Sequence, residues 1–515
     1  MGQLKIGWGR ALISTDEPVG LKGQFYVRIS KGAADPMYAT ALAVEDGNDA
    51  VIMCSLDVIA IQRGLLDKVR ARLRSTDPKI PSERVILNAT HTHTGGDFIP
   101  NPADVGAETG PRGRFPGWPE PLSLGGLERV EPKEYGEFVA DRTVEAIRMA
   151  WTRRRPGQVA WGYELAVTGH NRRSAYLCDV SDLPRFKRPS GIAVNGTSAM
   201  YGPTDIPEFS HYEAGADPFI NLLYTFTPEG ELTGAVINVP CPSQNSGHEY
   251  MMSADFWTEV RTELAAACGD IYILPQCAAA GDISPQQLHY RQAEARRYRL
   301  QFGNDKGELE IPIEHCRRRI IARQIANAFT SCLSWAQKEK YADLPLRHVT
   351  KTVRLQRRKV TEEMADLAER ELRALEAESY VHTEDAEADL PVNSRLYSQR
   401  LRWLNILNRY ELQKKEPLYP MELHVVRLGN IAFATNQFEL YMDYMHRIQG
   451  RSPFEQTFVV QLTGTPGEYT GTYLPTERGV AGKGYSACIF DNIVSPEGGQ
   501  ELVEATLAVL NEIYS

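Results

Sequence analysis

The sequence predicts an α/β fold of mixed sheets with flanking helices, interrupted once by a charged helical hairpin. Three observations point there. Short apolar runs such as Ala50–Leu56 and the one opening Val85–Ala89 stop abruptly at small or polar residues, as buried strands do. Helical spacing of apolar residues fills the interval between those two runs, at 65–73, which is the order of a βαβ unit. Finally, 361–378 and 394–414 are highly charged with helical periodicity and are separated by an acidic loop. At 515 residues the chain is longer than a single core usually grows, so a large α/β unit with an appendage is expected. The boundaries read as 1–345 for an α/β region, 346–420 for the hairpin insertion, and 421–515 for a return to the α/β region.

In chain order, residues 1–45 read as irregular strands and loops. Ala50–Leu56 suits a buried parallel strand and runs into Asp57; 65–73 is a helix, and Val85 starts the next strand. Residues 100–127 read as a long loop, 135–151 as a helix, and 179–212 again as loop. Phe219–Phe226 and 234–239 form two strands joined at Pro228-Glu229-Gly230. A helix then begins with Ser253 as its N-cap, followed by a strand at 271–274 and an apolar helix at 320–335. The charged pair reads as a solvated antiparallel hairpin. Strands return at 423–428, 431–434 and 456–462, and a helix at 502–513 closes the chain.

Bulk composition excludes several classes of function. A net charge of -9 gives no reason to bind nucleic acid or an anionic membrane, and 153–155 and 317–319, both all-arginine, read as solvated helix faces. The amino terminus has no apolar leader, and no stretch is long enough to span a bilayer. A cytoplasmic protein without a membrane anchor is therefore expected. The eight cysteines are scattered and form no C-x-x-C pair, so buried thiols are expected rather than a disulfide framework. The expected partners are a small-molecule substrate and, at most, further copies of the same chain.

Reactive side chains gather where apolar runs end. The stretch Thr90-His91-Thr92-His93-Thr94-Gly95 places two imidazoles two residues apart, on one face if the backbone stays extended. Three more strand ends carry Cys241, then Asp282 with Ser284, then Glu439; a further loop at 469–485 is dense in Gly, Pro and Tyr. Two imidazoles at the mouth of a buried strand suit a zinc site or a catalytic one, with other ligands supplied from elsewhere in the chain.

Taken in order, these motifs resemble the amino-terminal catalytic domain of the neutral/alkaline non-lysosomal ceramidase family, as a divergent member. The resemblance rests on Thr90 to Gly95, Asn171-Arg172-x-Ser174, Ser253-Ala254-Asp255-Phe256, Gly281-Asp282-Ile283-Ser284-Pro285, the Glu439 turn and Tyr473-Leu474-Pro475-Thr476. It spans most of the chain and is weakest over the charged helices. The resemblance implies a ceramidase-like catalytic domain with zinc ligands at His91, Glu439 and Tyr473. It also implies Ser284 as nucleophile or partner of the attacking water, with His93, Arg172 and Tyr485 on the substrate carbonyl. Asp282 and Asp57 are candidates for orienting rings or carrying protons.

One departure stands out. Where the family places its second zinc histidine, this chain reads Asn238-Val239-Pro240-Cys241-Pro242, so Cys241 is the expected ligand there. A thiolate is a good zinc ligand. His248, reaching in from the same loop, and another divalent metal, or none, in place of zinc are the alternatives. The resulting expectation is a zinc-dependent hydrolase cleaving an amide or related bond of a soluble small molecule. Alternatives are a true ceramidase acting on lipid, a carbohydrate-active hydrolase using carboxylates such as Glu439 and Asp443, or a non-catalytic relative.

Overall fold

The computed structural model of the protein describes residues 2–61, 63–98, 120–186, 195–464 and 472–515. Most of the loop expected at 100–127, part of that at 179–212, and Tyr469 lie outside the described residues.

Three sheets of four or five strands carry the architecture. The first orders its strands Val85–Ala89, Ala50–Leu56, Tyr38–Glu45, Lys5–Leu12 and Arg155–Pro156. Ala50–Leu56 runs parallel to Val85–Ala89 and antiparallel to Tyr38–Glu45. The second orders Tyr272–Cys277, Leu232–Val239, Phe219–Phe226 and Gln158–Leu165, with its first two strands parallel. The third orders Leu346–Gln356, Leu418–Leu428, Ile431–Thr435 and Gln456–Val460, with its last two parallel. Each sheet thus contains one parallel pair. The carboxyl ends of these pairs lead to Thr90, to Pro240 and Ala278, and to Asn436 and Gln461, the edge where ligands collect in open α/β sheets.

Side-chain amides join the three ends. Asn88 Nδ2 donates to the Pro275 carbonyl at 3.1 Å, and Asn238 Nδ2 to the Val459 carbonyl at 3.0 Å. Gln461 Oε1 accepts from the Ala280 and Leu440 amides at 3.1 and 3.0 Å. Buried amides in that position must be paired, so the register of one sheet fixes that of the next.

The amino-terminal region differs from the irregular reading. Lys5–Leu12 is a continuous strand inside the first sheet. Its alternation is hidden by Gly7 and Gly9, where an added Cβ would lie 2.1 Å from the Ala150 and Ala146 carbonyls. Those glycines let the helix Pro132–Thr152 lie directly on the sheet. The helix expected to start at Ser253 instead starts at Phe256, capped by Asp255 at a positive φ of 54°. Ser253 donates its hydroxyl to Asp35 and accepts from the Asp255 amide. The 317–319 arginines are also not all solvated. Arg318 is buried in the helix Ile313–Ala336 and pairs with Glu259 at 3.0 Å and Asp35 at 3.3 Å.

The charged hairpin comprises the helices Glu362–Glu376 and Ala386–Lys415. It emerges between two 11-residue strands, Leu346–Gln356 and Leu418–Leu428, which pair along their whole length. Its outer face is solvated. Its inner face buries Ala365, Ala368, Leu372, Leu404, Ile406 and Leu407, with Phe490 packed against them. Ser394 Oγ accepts from the Val27 amide at 3.0 Å, and Arg402 pairs with Asp491 at 2.6 Å. All eight cysteines are free; Cys178 is exposed, Cys268 half-buried and the rest buried. Among the described residues no helix is long and apolar enough to cross a membrane.

Candidate functional site

The strand before the histidine pair ends at Ala89, and the chain then turns left-handed at His91, with φ of 65°. The extended backbone expected there is absent. The two rings meet edge to face nonetheless, with centroids 5.0 Å apart. His91 Nδ1 contacts the Ile59 carbonyl at 2.8 Å, which places a proton on that nitrogen and turns Nε2 inward. That Nε2 lies 3.3 Å from Glu439 Oε2 and 3.4 Å from His93 Nε2. Arg28, itself fully buried, donates to the His93 carbonyl at 2.7 Å and holds the loop from behind.

Glu439 arrives from the third sheet. It starts a two-residue strand parallel to Tyr473–Leu474, so glutamate and tyrosine are direct register partners. Gly281 packs against it, with room for a hydrogen only: a Cβ there would lie 2.3 Å from the Glu439 carbonyl oxygen.

Arg172 lies at the centre. Its Nη2 is 3.6 Å from Glu439 Oε2, 3.4 Å from the Tyr473 hydroxyl and 3.0 Å from the Gly281 carbonyl. Its Nη1 donates to the Tyr201 hydroxyl at 3.1 Å and faces Gln244 Oε1 at 3.5 Å. Burial opposes its charge, but Tyr201, Tyr473 and Glu439 outweigh that and keep the guanidinium protonated. Burial, then His91, Arg172 and Arg28, hold His93 well below the usual imidazole range, so it is neutral. Tyr473 and Tyr485 hydrogen-bond each other, and burial pushes both phenols up, so both keep their protons.

Of the residues expected from sequence, the structure therefore draws together His91, His93, Arg172, Glu439, Tyr473 and Tyr485. The others point elsewhere. The Cys241 thiol faces the Thr168 carbonyl at 3.2 Å, and burial, then Cys277 and Asp255, push it well up. The Ser284 hydroxyl accepts from the Gln286 amide at 3.0 Å. Asp282 accepts from Asn171 Nδ2 at 3.1 Å and the Met442 amide at 3.0 Å, while its carbonyl accepts from the Arg172 amide. Burial raises its carboxyl to about 6. Asp57 is paired with Arg261 at 2.9 Å, and His248 is exposed. Asp443 pairs with Arg478 at 2.8 Å on the surface. Among the described residues, no group of three or more His, Cys, Asp and Glu side chains is gathered as a metal cluster.

Two side chains in this centre have no motif of their own. Tyr201 follows a short strand at Ser198–Met200, and Gln244 closes the loop that carries Cys241. The position of Gln244 at a strand end, three residues past Cys241, was the only sequence signal for either.

Comparison with solved structures decides the architecture. A ceramidase solved in complex with C2 matches 100% of this chain and 76% of its own length, with a TM-score of 0.66 and 17% identity. The chain has the ceramidase fold. The neutral ceramidase of Pseudomonas aeruginosa matches 99% of this chain and 75% of its own, with a TM-score of 0.63 and 18% identity. No family model and no curated protein sequence matches the chain. The ceramidase fold therefore persists here at a level of identity where only the chain path is shared.

Proposed function

We propose that this protein is a hydrolase that cleaves an amide or related bond of a soluble small-molecule substrate, with zinc as its metal. The observation that carries the reading is the meeting of His91, from the first sheet's edge, with Glu439, whose register partner is Tyr473. With Nδ1 on the Ile59 carbonyl, His91 turns Nε2 toward a carboxylate oxygen 3.3 Å away and a second imidazole nitrogen 3.4 Å away. The 3.3 Å between His91 and Glu439 is a separation that two ligands of one zinc ion would have. His91, Glu439 and Tyr473 are the residues that would hold the ion, and Cys241 would have to turn from Thr168 to join them.

A bound zinc ion supplies an acidified water and a polarised carbonyl. The chain's own groups do the rest. Arg172, permanently charged and buried, favours oxygen that gains negative charge through its field, and the Tyr485 phenol adds a donor beside it. His93, neutral and beside His91, would line the substrate carbonyl with them. Asn171, held by Asp282, accepts from the Arg173 amide and fixes the strand that presents Arg172. The polar wall made by Arg172, Tyr201 and Gln244 favours a water-soluble substrate over a bare acyl chain.

Purified protein is expected to carry near-stoichiometric zinc by elemental analysis and to release amine from water-soluble N-acyl compounds faster than from N-acyl sphingosine. His91→Ala and Glu439→Gln should abolish both properties. Retention of metal and turnover in both variants would remove this centre from the reaction.

A further inference from the structure

We propose that Tyr201 is a substrate-facing hydrogen-bond donor of this site, with its phenol proton reserved for an acceptor oxygen on the substrate. The proposal rests on the hydrolase reading for the reaction, but its argument is a count of donors and acceptors.

The Tyr201 oxygen has two lone pairs and one proton. Arg172 Nη1 donates to that oxygen at 3.1 Å, and Gln244 Nε2 donates to it at 2.7 Å. The orientation of Gln244 is dictated by its neighbour. A guanidinium has donors only, so the amide must turn Oε1 toward Arg172, at 3.5 Å, and its NH2 toward Tyr201. Both lone pairs are then filled by donors, and the phenol proton cannot go to either of them. It is left pointing away from Arg172 and Gln244.

Three further observations fit a functional rather than a packing role. Tyr201 and Gln244 are half-buried, whereas Arg172 is 3% exposed, so the phenol and amide are the less enclosed members of the trio. Tyr201 has φ of 54°, a conformation bulky residues avoid and that is typically kept where geometry at a site requires it. Its amide is tied to the Arg172 carbonyl at 2.7 Å, which locks phenol and guanidinium into one unit. The pair therefore presents a neutral donor backed by a positive charge, suited to a carbonyl oxygen or to the oxyanion that forms from it.

Two variants separate this role from a structural one. Tyr201→Phe removes the proton and keeps the ring. Gln244→Glu keeps the phenol but offers it a carboxylate, which takes the proton. Both are expected to lower kcat/KM for p-nitroacetanilide by about a hundredfold, with unchanged circular dichroism. Tyr201→Phe should also weaken phenylphosphonate, a tetrahedral oxyanion, by about tenfold in calorimetry. Full activity in Gln244→Glu alongside loss in Tyr201→Phe would make the phenol a mere prop for Arg172 and overturn the assignment. So would equal phosphonate affinity in wild type and Tyr201→Phe, or no phosphonate binding by the wild type. A wild type that binds phosphonate through Tyr201 yet cleaves no N-acyl compound refutes the hydrolase reading and leaves the donor in place.

Discussion

Arg173, the neighbour of the central arginine, gives the sharpest stability prediction. It is fully buried and makes a bidentate pair with Glu213 at 3.0 and 2.8 Å. The same guanidinium donates to the carbonyls of Gly479, Lys483 and Tyr485, at 3.2, 2.7 and 3.0 Å. That loop contains left-handed residues at Lys483, Gly484 and Ser486, so its shape is strained and is held from one point. Glu213→Gln leaves a buried cation without its counter-charge, a change that costs about 3–5 kcal/mol. Arg173→Met also orphans three carbonyls, which adds about 1–3 kcal/mol for each that water does not reach. Since 1.4 kcal/mol is tenfold, amides over 479–486 in Glu213→Gln should exchange with deuterium roughly a hundredfold faster or more. The helix Pro496–Tyr514 serves as an internal reference. Exchange within threefold of wild type would show that the pair does not hold the Tyr485 loop.

Two further outcomes follow from particular contacts. The Asp282 carboxyl lies at about 6 in the folded chain against 3.8 unfolded, so the native state binds the extra proton and stability falls as pH rises between those values. The whole fall is roughly 3 kcal/mol. Urea unfolding of Asp282→Asn should show a much flatter pH profile from 4 to 7, and an unchanged slope would refute the shift. Gly281→Ala places a methyl against the backbone of Glu439, which cannot rotate away, and should destabilise by about 1–3 kcal/mol while displacing the carboxylate from His91. Wild-type melting temperature and turnover in that variant would contradict the close packing.

Much of the fold is written locally. Ala50–Leu56 and Phe219–Phe226 are continuous apolar runs and fold as the strands expected. What escapes a local reading depends on partners far along the chain. Leu346–Gln356 is mostly polar, without a regular apolar alternation, and is largely solvated, so it reads as neither strand nor helix until Leu418–Leu428 lies beside it. Arg318 reads as a solvated arginine because Asp35 and Glu259 are distant in sequence. The candidate site divides in the same way. Imidazoles, carboxylates and tyrosines at strand ends attract notice by residue type. Tyr201 and Gln244 belong to the centre only through Arg172, which no pattern of spacing reveals. The left-handed turn at His91 is equally silent, since histidine is not a residue that announces it.

The paired strands Leu346–Gln356 and Leu418–Leu428 hold the roots of the helical arm side by side, so the 61 residues from 357 to 417 enter and leave the body at one place. Lengthening or exchanging such an arm alters only a closed loop, and the entropic penalty grows slowly with its length. The arm also leans on Phe25 through Ser398 and on Asp491 through Arg402, beside the ring of Tyr485. A lineage could therefore refashion the approach to the Arg172 centre by swapping this one appendage, with the three sheets and the side chains at their ends left untouched.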